Sequence, residues 1–265
     1  MGLLMEIYQH KFKKSLGQNY LSDEAILKRI ALFAGSKSDF ILEIGTGMGS
    51  LTLELAKLSK EVITYEIDAS LNKYLEELFL NKNIKYINKD FLKEDLSFLK
   101  NKSFDVVANV PYYITTDIVK YFFDNDIIPL NMTLLVQKEL ASRWLLEAGN
   151  KDYGYINVLI RHFYDIEKGF LINKTYFKPQ PKVDSMLIKL KGKRHSSLDY
   201  NAYKEFLKAS FSSKRKKLKN NLEKIGINNF KEIADELKIK EDVRAEDLPP
   251  ETFEKLFEIY LKHLS

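Results

Sequence analysis

Strand-like and helix-like segments alternate along this chain between residues 40 and 136. Five short runs are apolar and rich in β-branched residues: FILEIG, EVITYEI, IKYIN, FDVVAN and MTLLVQ. Between several of them apolar residues recur at helical spacing, as at Leu51, Leu55 and Leu58. Parallel neighbouring strands need a crossover connection, and a helix is the usual one, so this alternation predicts a parallel sheet with helices on both faces.

The pattern changes after residue 150. The segment YINVLIRHF is helical and leads to a strand around 164–172, and the turn KPQPK precedes a strand over 183–191. Two late strands so close together suggest an antiparallel addition at the sheet edge. From about residue 195 only helices are predicted: Tyr203–Phe211, Lys214–Ile225, Phe230–Leu237 and Pro250–Leu264. We therefore predict an α/β domain over 1–191 and a small all-helical domain over 192–265, with GKRHSS (192–197) as the linker.

Composition excludes several kinds of site. The chain of 265 residues has no cysteine, which rules out disulfides, thiolate zinc sites and cysteine nucleophiles. Its four histidines are far apart in sequence, so we expect no metal site. No apolar run approaches the ~20 residues that span a membrane, and the N-terminus lacks a small-residue cleavage site. The expected location is the cytoplasm.

Positive charge is concentrated near the C-terminal part of the chain. The net charge is +5, yet residues 191–230 alone hold 11 Lys/Arg against 3 Asp/Glu. A basic surface of this kind attracts a polyanion through counterion release. The alternative is a solvated, lysine-rich helical face.

A glycine-rich segment, EIGTGMG (43–49), follows the first predicted strand. Its three glycines permit a tight turn and close approach of the backbone to a ligand, just before a helix begins. Dinucleotide-binding proteins use a related loop, but the spacing here is G-x-G-x-G and Glu43 precedes it. A carboxylate there would repel a pyrophosphate and suits a cation, such as a sulfonium compound that carries an ammonium group.

Acidic residues also stand at the ends of the next two predicted strands, Glu66 in YEID and Asp90 in NKDF. Ligands of open α/β sheets bind at the carboxyl ends of the strands. We therefore expect Glu66 to accept hydrogen bonds from ribose hydroxyls and Asp90 to accept one from an adenine amine. The alternative is that both residues merely cap the helices that follow.

The fourth predicted strand ends in NVPYY (109–113). An exocyclic aromatic amine is a weak nucleophile because its lone pair is delocalised, and an enzyme can assist it by accepting its hydrogens and holding the base in place. Asn109 offers a side-chain carbonyl, and Pro111 restricts Val110 so that its backbone carbonyl is held outward. Tyr112 offers a flat face for a flipped-out base. The alternative is a strand-ending turn with core aromatics, which would not require Asn109.

These residues resemble a known family. The segment 109–112 matches the N-[LIV]-P-Y signature of the ribosomal RNA adenine dimethyltransferases, and KSLGQNYLSD (14–23) matches that family's G-Q-[NH]-[FY]-L segment. Further family segments are YFKPQPKVDS (176–185), FSSKRKKLKNNL (211–222) and RAEDLPPETF (244–253). The resemblance covers about residues 10 to 255, and several independent motifs in the same order make it specific.

The resemblance implies a class I, Rossmann-like methyltransferase domain with a seven-stranded, mostly parallel sheet, a helical C-terminal domain that lies on RNA, and S-adenosylmethionine as methyl donor. The residues assigned to the cofactor are Gln18, Asn19, Leu21, Glu43, Gly45, Gly47, Glu66, Ile67, Asp90, Phe91 and Asn109. Those assigned to methyl transfer are Asn109, Val110, Pro111 and Tyr112, with Phe177 facing Tyr112 across the substrate base. The alternative for Phe177 is a core aromatic beside a proline turn.

Two branches of the family differ in their RNA. KsgA-type enzymes dimethylate two adjacent adenines near the 3′ end of small-subunit (16S) RNA, and Erm-type enzymes modify one adenine of large-subunit RNA. The C-terminal motifs and QKELASRW (137–144) resemble the first branch, so we expect a monomer that acts on the small ribosomal subunit and takes part in its biogenesis.

Asp117 departs from that branch, which usually has proline at this position, and an aspartate occurs there in some Erm-type sequences. Both an Erm-type enzyme and a ribosome-assembly factor without turnover remain alternatives. The residues expected to contact RNA phosphates are Lys214, Arg215, Lys216, Lys217 and Lys219.

Overall fold

The computed structural model describes residues 17–35, 38–111, 114–193 and 198–264. The strands within these ranges are β1 (Tyr20–Leu21), β2 (Phe40–Ile44), β3 (Val62–Glu66), β4 (Ile84–Asn88), β5 (Phe104–Ala108), β6 (Asn131–Gln137), β7 (Tyr164–Ile172), β8 (Phe177–Lys178) and β9 (Ser185–Gly192). The α-helices are α1 (Glu24–Ala34), α2 (Ser50–Ala56), α3 (Asn72–Phe79), α4 (Thr115–Asp124), α5 (Lys138–Trp144), α6 (Tyr155–Phe163), α7 (Tyr200–Ser210), α8 (Leu218–Leu222), α9 (Phe230–Leu237) and α10 (Pro250–Leu264).

Seven of the described strands form one sheet in the order β4-β3-β2-β5-β6-β9-β7. The first five run parallel to their neighbours, and β9 pairs antiparallel with β6. Strands β2, β3 and β5 are buried along their whole length, as expected for strands covered by helices on both faces. The predicted seven-stranded, mostly parallel sheet is confirmed.

Helix α1 shows how local sequence places an element on this sheet. Asp23 caps the helix, because its side chain accepts a 2.9 Å hydrogen bond from the backbone N–H of Ile26. Ile26, Leu27 and Ile30 share one face and belong to a buried apolar cluster. Burial of each such side chain contributes roughly 1.5–3 kcal/mol. At the other end, Lys189 Nζ donates a 2.6 Å hydrogen bond to the backbone carbonyl of Ala34.

The chain divides into two compact units. The sheet unit comprises Met1–Ala141 and Glu167–Gly192, and the helical unit comprises Ser142–Ile166 and Lys193–Ser265. The sequence placed the segment 142–166 in the first domain. In the structure this segment, which contains α6, belongs to the helical unit, where Tyr153 packs against Phe211 with ring centroids 6.4 Å apart.

Aromatic side chains form the core of the helical unit. Phe257 lies 5.1 Å from Tyr203 and 5.4 Å from Phe206 between ring centroids, and Phe211 lies 5.3 Å from Phe253. These rings come from α7, from the turn that follows it and from α10. Because aromatic pairs contribute beyond the area they bury, this cluster stabilises the small unit.

One predicted helix is shorter than expected. The sequence predicts a helix over Lys214–Ile225, but α8 begins at Leu218 and a 3₁₀ turn covers Glu223–Ile225. The segment 211–217 forms turns instead. Its conformation is set from outside the segment, because the Asn221 side chain donates to the backbone carbonyls of Ser210 (2.8 Å) and Ser213 (3.3 Å).

Candidate active site

The glycine-rich loop connects β2 to α2. Gly45, Gly47 and Gly49 all have positive φ, a conformation that favours glycine. At Gly45 a Cβ atom would lie 3.1 Å from the Asn109 backbone oxygen, and at Gly47 it would lie 2.9 Å from the Tyr20 ring. The missing side chains therefore let two other segments of the sheet unit come close to the loop.

Glu66 ends β3 and is 7% exposed. Its Oε2 accepts a 2.8 Å hydrogen bond from the Gly47 N–H, and its Oε1 accepts one of 2.9 Å from the Asp68 N–H. Burial raises the pKa of the Glu66 carboxyl, and these backbone donors oppose that rise. Each carboxylate oxygen can accept more than one hydrogen bond, so Glu66 can hold the loop and still accept from a ligand.

Asp90 follows β4 and combines two roles. Its Oδ1 accepts a 3.1 Å hydrogen bond from the Leu92 N–H at the start of the 3₁₀ turn Phe91–Lys93. The capping role that the sequence offered as an alternative is therefore real for Asp90. The residue also lines the cavity described below, so capping does not remove it from the site.

Asp68 is a functional candidate that the sequence analysis did not assign. It caps the short 3₁₀ turn after β3, where its Oδ1 accepts a 3.0 Å hydrogen bond from the Ser70 N–H. Its Oδ2 accepts a 2.7 Å hydrogen bond from Gln18 Nε2. The segment before α1 is thereby attached to the end of β3, and Asn19 stiffens it through a 2.9 Å bond to the Gly17 carbonyl. The only signal in the sequence was the second acid of YEID.

A cavity of about 330 Å³ opens at the carboxyl ends of β2, β3, β4 and β5. The predicted residues that line it are Gln18, Asn19, Leu21, Gly45, Gly47, Glu66, Ile67, Asp90, Phe91, Asn109, Val110, Pro111 and Phe177. Ile67 is 51% exposed although it is apolar. Ligand pockets are lined mostly by apolar side chains together with a few polar groups that orient the ligand, and Ile67 beside the two carboxylates fits that description.

Glu43 is placed differently from its assignment to the cofactor. It is fully buried and is not among the residues that line the cavity. Its Oε2 accepts 2.6 Å hydrogen bonds from the hydroxyls of Thr52 and Thr64, and Thr64 also lies 2.6 Å from the hydroxyl of Thr46. Burial raises the pKa of Glu43 to about 7, against the opposing effect of the two threonine hydroxyls. Glu43 therefore lies behind the loop, joined to it through hydroxyl groups.

Strand β5, which is the fourth of the strands predicted from the sequence, leads directly into the predicted methyl-transfer segment. Asn109, Val110 and Pro111 line the cavity, and Val110 is buried at 5% exposure. Tyr112 lies outside the described residues, so its stacking role stays a prediction. Phe177 lines the cavity and is also 2% exposed within an apolar cluster that includes Leu21. It therefore has the core position considered as the alternative, and its role opposite Tyr112 across the substrate base stays a prediction.

Comparison with known proteins places this arrangement in a family. The model of one family, described as ribosomal RNA adenine dimethylase, matches residues 9–262. The chain belongs to that family. The family membership predicted from the sequence motifs is thus confirmed.

Individual members of the adenine dimethylase family are similar over nearly the whole chain. The ribosomal RNA small subunit methyltransferase A of Mycoplasma mobile is 36% identical over 250 residues, which cover 94% of this chain and 98% of that protein. The protein of the same name from Mycoplasmopsis pulmonis is 39% identical over 249 residues, covering 92% and 97%. Most of this chain therefore has a counterpart in these relatives.

Solved structures of related enzymes have the same architecture. A dimethyladenosine transferase from Plasmodium falciparum has a TM-score of 0.78 and 26% identity, and the match covers 91% of this chain and 97% of that one. The 23S rRNA methyltransferase ErmE has a TM-score of 0.71 and 27% identity, with coverage of 91% and 98%. The fold class of this chain is therefore common to both of these enzymes.

In this family member, four of the five predicted RNA-contacting cations are exposed. Lys214, Arg215, Lys216 and Lys217 lie in the turn between α7 and α8, which we call the basic turn. Lys219 differs, because its Nζ lies 2.7 Å from Glu241 Oε1 in an ion pair. The basic turn thus presents four cations that a polyanion can reach, and the charge of Lys219 is offset by a neighbour.

In the part of the chain that the structure describes, no cluster of three or more His, Asp or Glu side chains is arranged to hold a metal ion. None of its helices combines the length and the apolar character that crossing a membrane requires.

Proposed function

We propose that this protein uses S-adenosylmethionine to dimethylate the 6-amino groups of two adjacent adenines near the 3′ end of small-subunit (16S) ribosomal RNA, as a step in small-subunit biogenesis. One observation carries the proposal. The acids at the ends of β3 and β4 and the Asn109–Pro111 segment line the same cavity. Groups suited to a nucleoside cofactor and groups suited to an aromatic amine are thus within reach of one another. The names of the relatives support this function.

The cavity fits a cationic nucleoside. Glu66 would accept from ribose hydroxyls, and Asp90 would accept from an adenine amine. Ile67 and Phe91 offer apolar surface for the adenine ring, and Gly47 leaves room where a Cβ would otherwise meet Tyr20. Two carboxylates at the cavity favour a ligand with positive charge. When bound, S-adenosylmethionine supplies an electrophilic methyl group.

The residues of the chain contribute acceptors and a dry, shaped cavity. In this proposal the Asn109 side-chain carbonyl and the Val110 backbone carbonyl accept hydrogen bonds from the amine of the target adenine. These bonds strengthen as the nitrogen gains positive character, so they stabilise the transition state more than the ground state. The buried side chains of Val110, Ile118 and Phe177 exclude water from the cavity wall. No general acid is needed.

The RNA partner would be held by charge. The basic turn of the helical unit offers Lys214, Arg215, Lys216 and Lys217 for phosphate contacts. We propose that the enzyme acts as a monomer in the cytoplasm, where its substrate, the small ribosomal subunit, is assembled.

The test is methylation of undermethylated ribosomes. Small subunits and large-subunit RNA are purified from a strain that lacks the modification and are incubated with the enzyme and radiolabelled S-adenosylmethionine. The expected result is label in small subunits alone, at two adjacent adenines found by mapping the modified nucleotides. Label in large-subunit RNA alone would replace this proposal with the Erm-type activity.

One observation favours that second candidate. Asp117 lies exposed in the first turn of α4, where its charge is favourable at the helix N-terminus. It replaces the proline usual in the small-subunit branch, and the likeness to the 23S rRNA methyltransferase ErmE supports this alternative. A non-catalytic assembly factor would bind subunits and leave no label in either RNA.

A further inference from the structure

A short surface segment between β7 and β9 combines an exposed aromatic ring with positive charge. Residues 174–183, which we call the rim segment, contain Lys174, Lys178 and Lys182 and no acidic residue. Lys178 and Lys182 are exposed, and Tyr176 is 44% exposed. An aromatic face among cations is the combination with which proteins bind single-stranded nucleic acid.

The rim segment borders the cavity. Strand β8 within it pairs with β1, so that Phe177 lies opposite Leu21 and Lys178 lies opposite Tyr20. Phe177, Leu21 and Tyr20 all line the cavity. The segment then enters β9, which begins opposite Gln137 at the carboxyl end of β6. The exposed residues on either side of Phe177 are therefore at the edge of the proposed methyl-transfer site.

The Tyr176 ring is presented by a turn that several hydrogen bonds hold in place. Asn173 Oδ1 accepts a 3.0 Å hydrogen bond from the Thr175 N–H, and the Tyr176 N–H donates to the Asn173 carbonyl at 3.1 Å. Asp184 Oδ1 accepts a 2.9 Å bond from the Lys174 N–H, which closes the base of the segment. Phe177 anchors the turn in the apolar cluster of the sheet unit. A ring on a turn held in this way loses little conformational freedom when a base stacks on it.

We propose that the rim segment binds the single-stranded RNA that flanks the target adenine, with Tyr176 stacking on a neighbouring base and Lys178 and Lys182 contacting phosphates. This inference rests on the proposed function and adds the position of the flanking nucleotides. A flipped-out adenine leaves its neighbours unstacked, and an aromatic side chain compensates for the lost stacking whatever the base. The absence of acidic residues from 174–183 suits a polyanion.

The test compares Tyr176→Leu, which removes the ring and keeps an apolar side chain, with Tyr176→Phe, which keeps the ring. Single-turnover methylation is measured over a range of concentrations of undermethylated small subunits. Since stacking on one aromatic side chain is worth roughly tenfold in affinity, Tyr176→Leu should raise the half-saturating subunit concentration by about that factor. Tyr176→Phe should stay within about twofold of the wild type, and the affinity of either variant for S-adenosylhomocysteine should not change.

The charge is tested separately with Lys178→Ala. The dependence of subunit binding on salt should flatten by roughly one unit of slope. Lys85 is also exposed but lies on β4, at the opposite edge of the sheet, so Lys85→Ala is the matched control and should leave the slope unchanged. An equal loss of subunit affinity in both tyrosine variants, or no loss in either, would overturn the stacking role of Tyr176. An unaltered salt slope in Lys178→Ala would overturn the phosphate contact. A wild-type enzyme that labels no small subunits would instead overturn the proposed function.

Discussion

The backbone N–H of Gly47 donates a 2.8 Å hydrogen bond to Oε2 of Glu66, which joins the middle of the glycine-rich loop to the end of the neighbouring strand. The same carboxylate accepts from the Asp68 N–H, and Asp68 in turn binds Gln18. The side chains of Glu66 and Asp68 together thus link three separate segments around the cavity. Because Glu66 also lines the cavity, the remaining acceptor capacity of its oxygens is available to a ligand.

Glu66→Ala should therefore weaken cofactor binding more than loss of a single contact would. The variant removes the acceptor for the ribose and also leaves two backbone N–H groups without their carboxylate. Losing one charged hydrogen-bond partner already costs ~1.5–3 kcal/mol, so the affinity should fall by at least about tenfold to hundredfold. Calorimetry with S-adenosylhomocysteine measures this. Glu66→Gln retains one oxygen and should lose less, and an unchanged affinity in Glu66→Ala would contradict the assigned role.

The strands of the sheet could be predicted because burial on both faces demands continuous apolar runs. FILEI, VITYE and FDVVA are buried throughout, and the apolar residues of each run are enough to predict a strand. Helix α9 over Phe230–Leu237 was predicted with the bounds it has, since its buried Phe230, Ile233 and Ala234 have helical spacing. Elements of this kind are specified by local pattern.

Where the structure differs from the prediction, the common cause is contact between residues that are distant in sequence. The positions of Leu218 and Leu222 fit a helix that begins at Lys214, but the side chain of Asn221 and the Val243 carbonyl bind the chain so that α8 starts at Leu218. Spacing likewise placed Glu43 at a strand end without indicating which way its side chain points. Its partners, Thr52 and Thr64, could not be identified from the motif itself.

The buried position of Glu43 predicts a pH dependence of stability. Burial raises its pKa from 4.5 to about 7, so between these values the folded protein binds a proton that the unfolded chain has released. Stability from this group is therefore greatest at low pH and falls as pH rises towards and through 7. The full effect is on the order of 3 kcal/mol.

Glu43→Gln isolates that effect, because the amide has nearly the same shape and does not titrate. The free energy of unfolding of the variant minus that of the wild type should increase from pH 5 to pH 8, because only the wild type loses stability as Glu43 ionises. Urea unfolding at several pH values measures this difference, and subtraction cancels the contribution of other titrating groups. A difference that is constant with pH would show that Glu43 is already ionised in the folded protein at pH 5, and would contradict the raised pKa.

The basic turn predicts a change in RNA binding that leaves the cofactor site intact. Replacing Lys214, Arg215 and Lys217 by alanine should weaken small-subunit binding and flatten its salt dependence by roughly one unit of slope per lost phosphate contact. Lys219→Ala is the comparison, because the charge of Lys219 is already offset by Glu241 at 2.7 Å. It should change the slope least. An unaltered slope in the triple variant would show that these three cations form a solvated surface and do not contact phosphates.

A substitution of Asn109 tests catalysis separately from the binding of cofactor and the binding of RNA. It lines the cavity directly after β5, and the bare Cα of Gly45 allows its backbone to approach the glycine-rich loop. If its side-chain carbonyl accepts from the substrate amine, the bond is worth more in the transition state than in the ground state. Asn109→Ala should then lower the single-turnover methylation rate about a hundredfold or more, the scale found when one preorganised polar group is removed.

Subunit binding by Asn109→Ala should remain nearly intact, because phosphate contacts made elsewhere provide most of the affinity. A modest loss of cofactor affinity is compatible with this role, since Asn109 borders the donor site. Near-normal turnover would mean that the segment after β5 is only a strand-ending turn, and the non-catalytic assembly factor would become the better explanation.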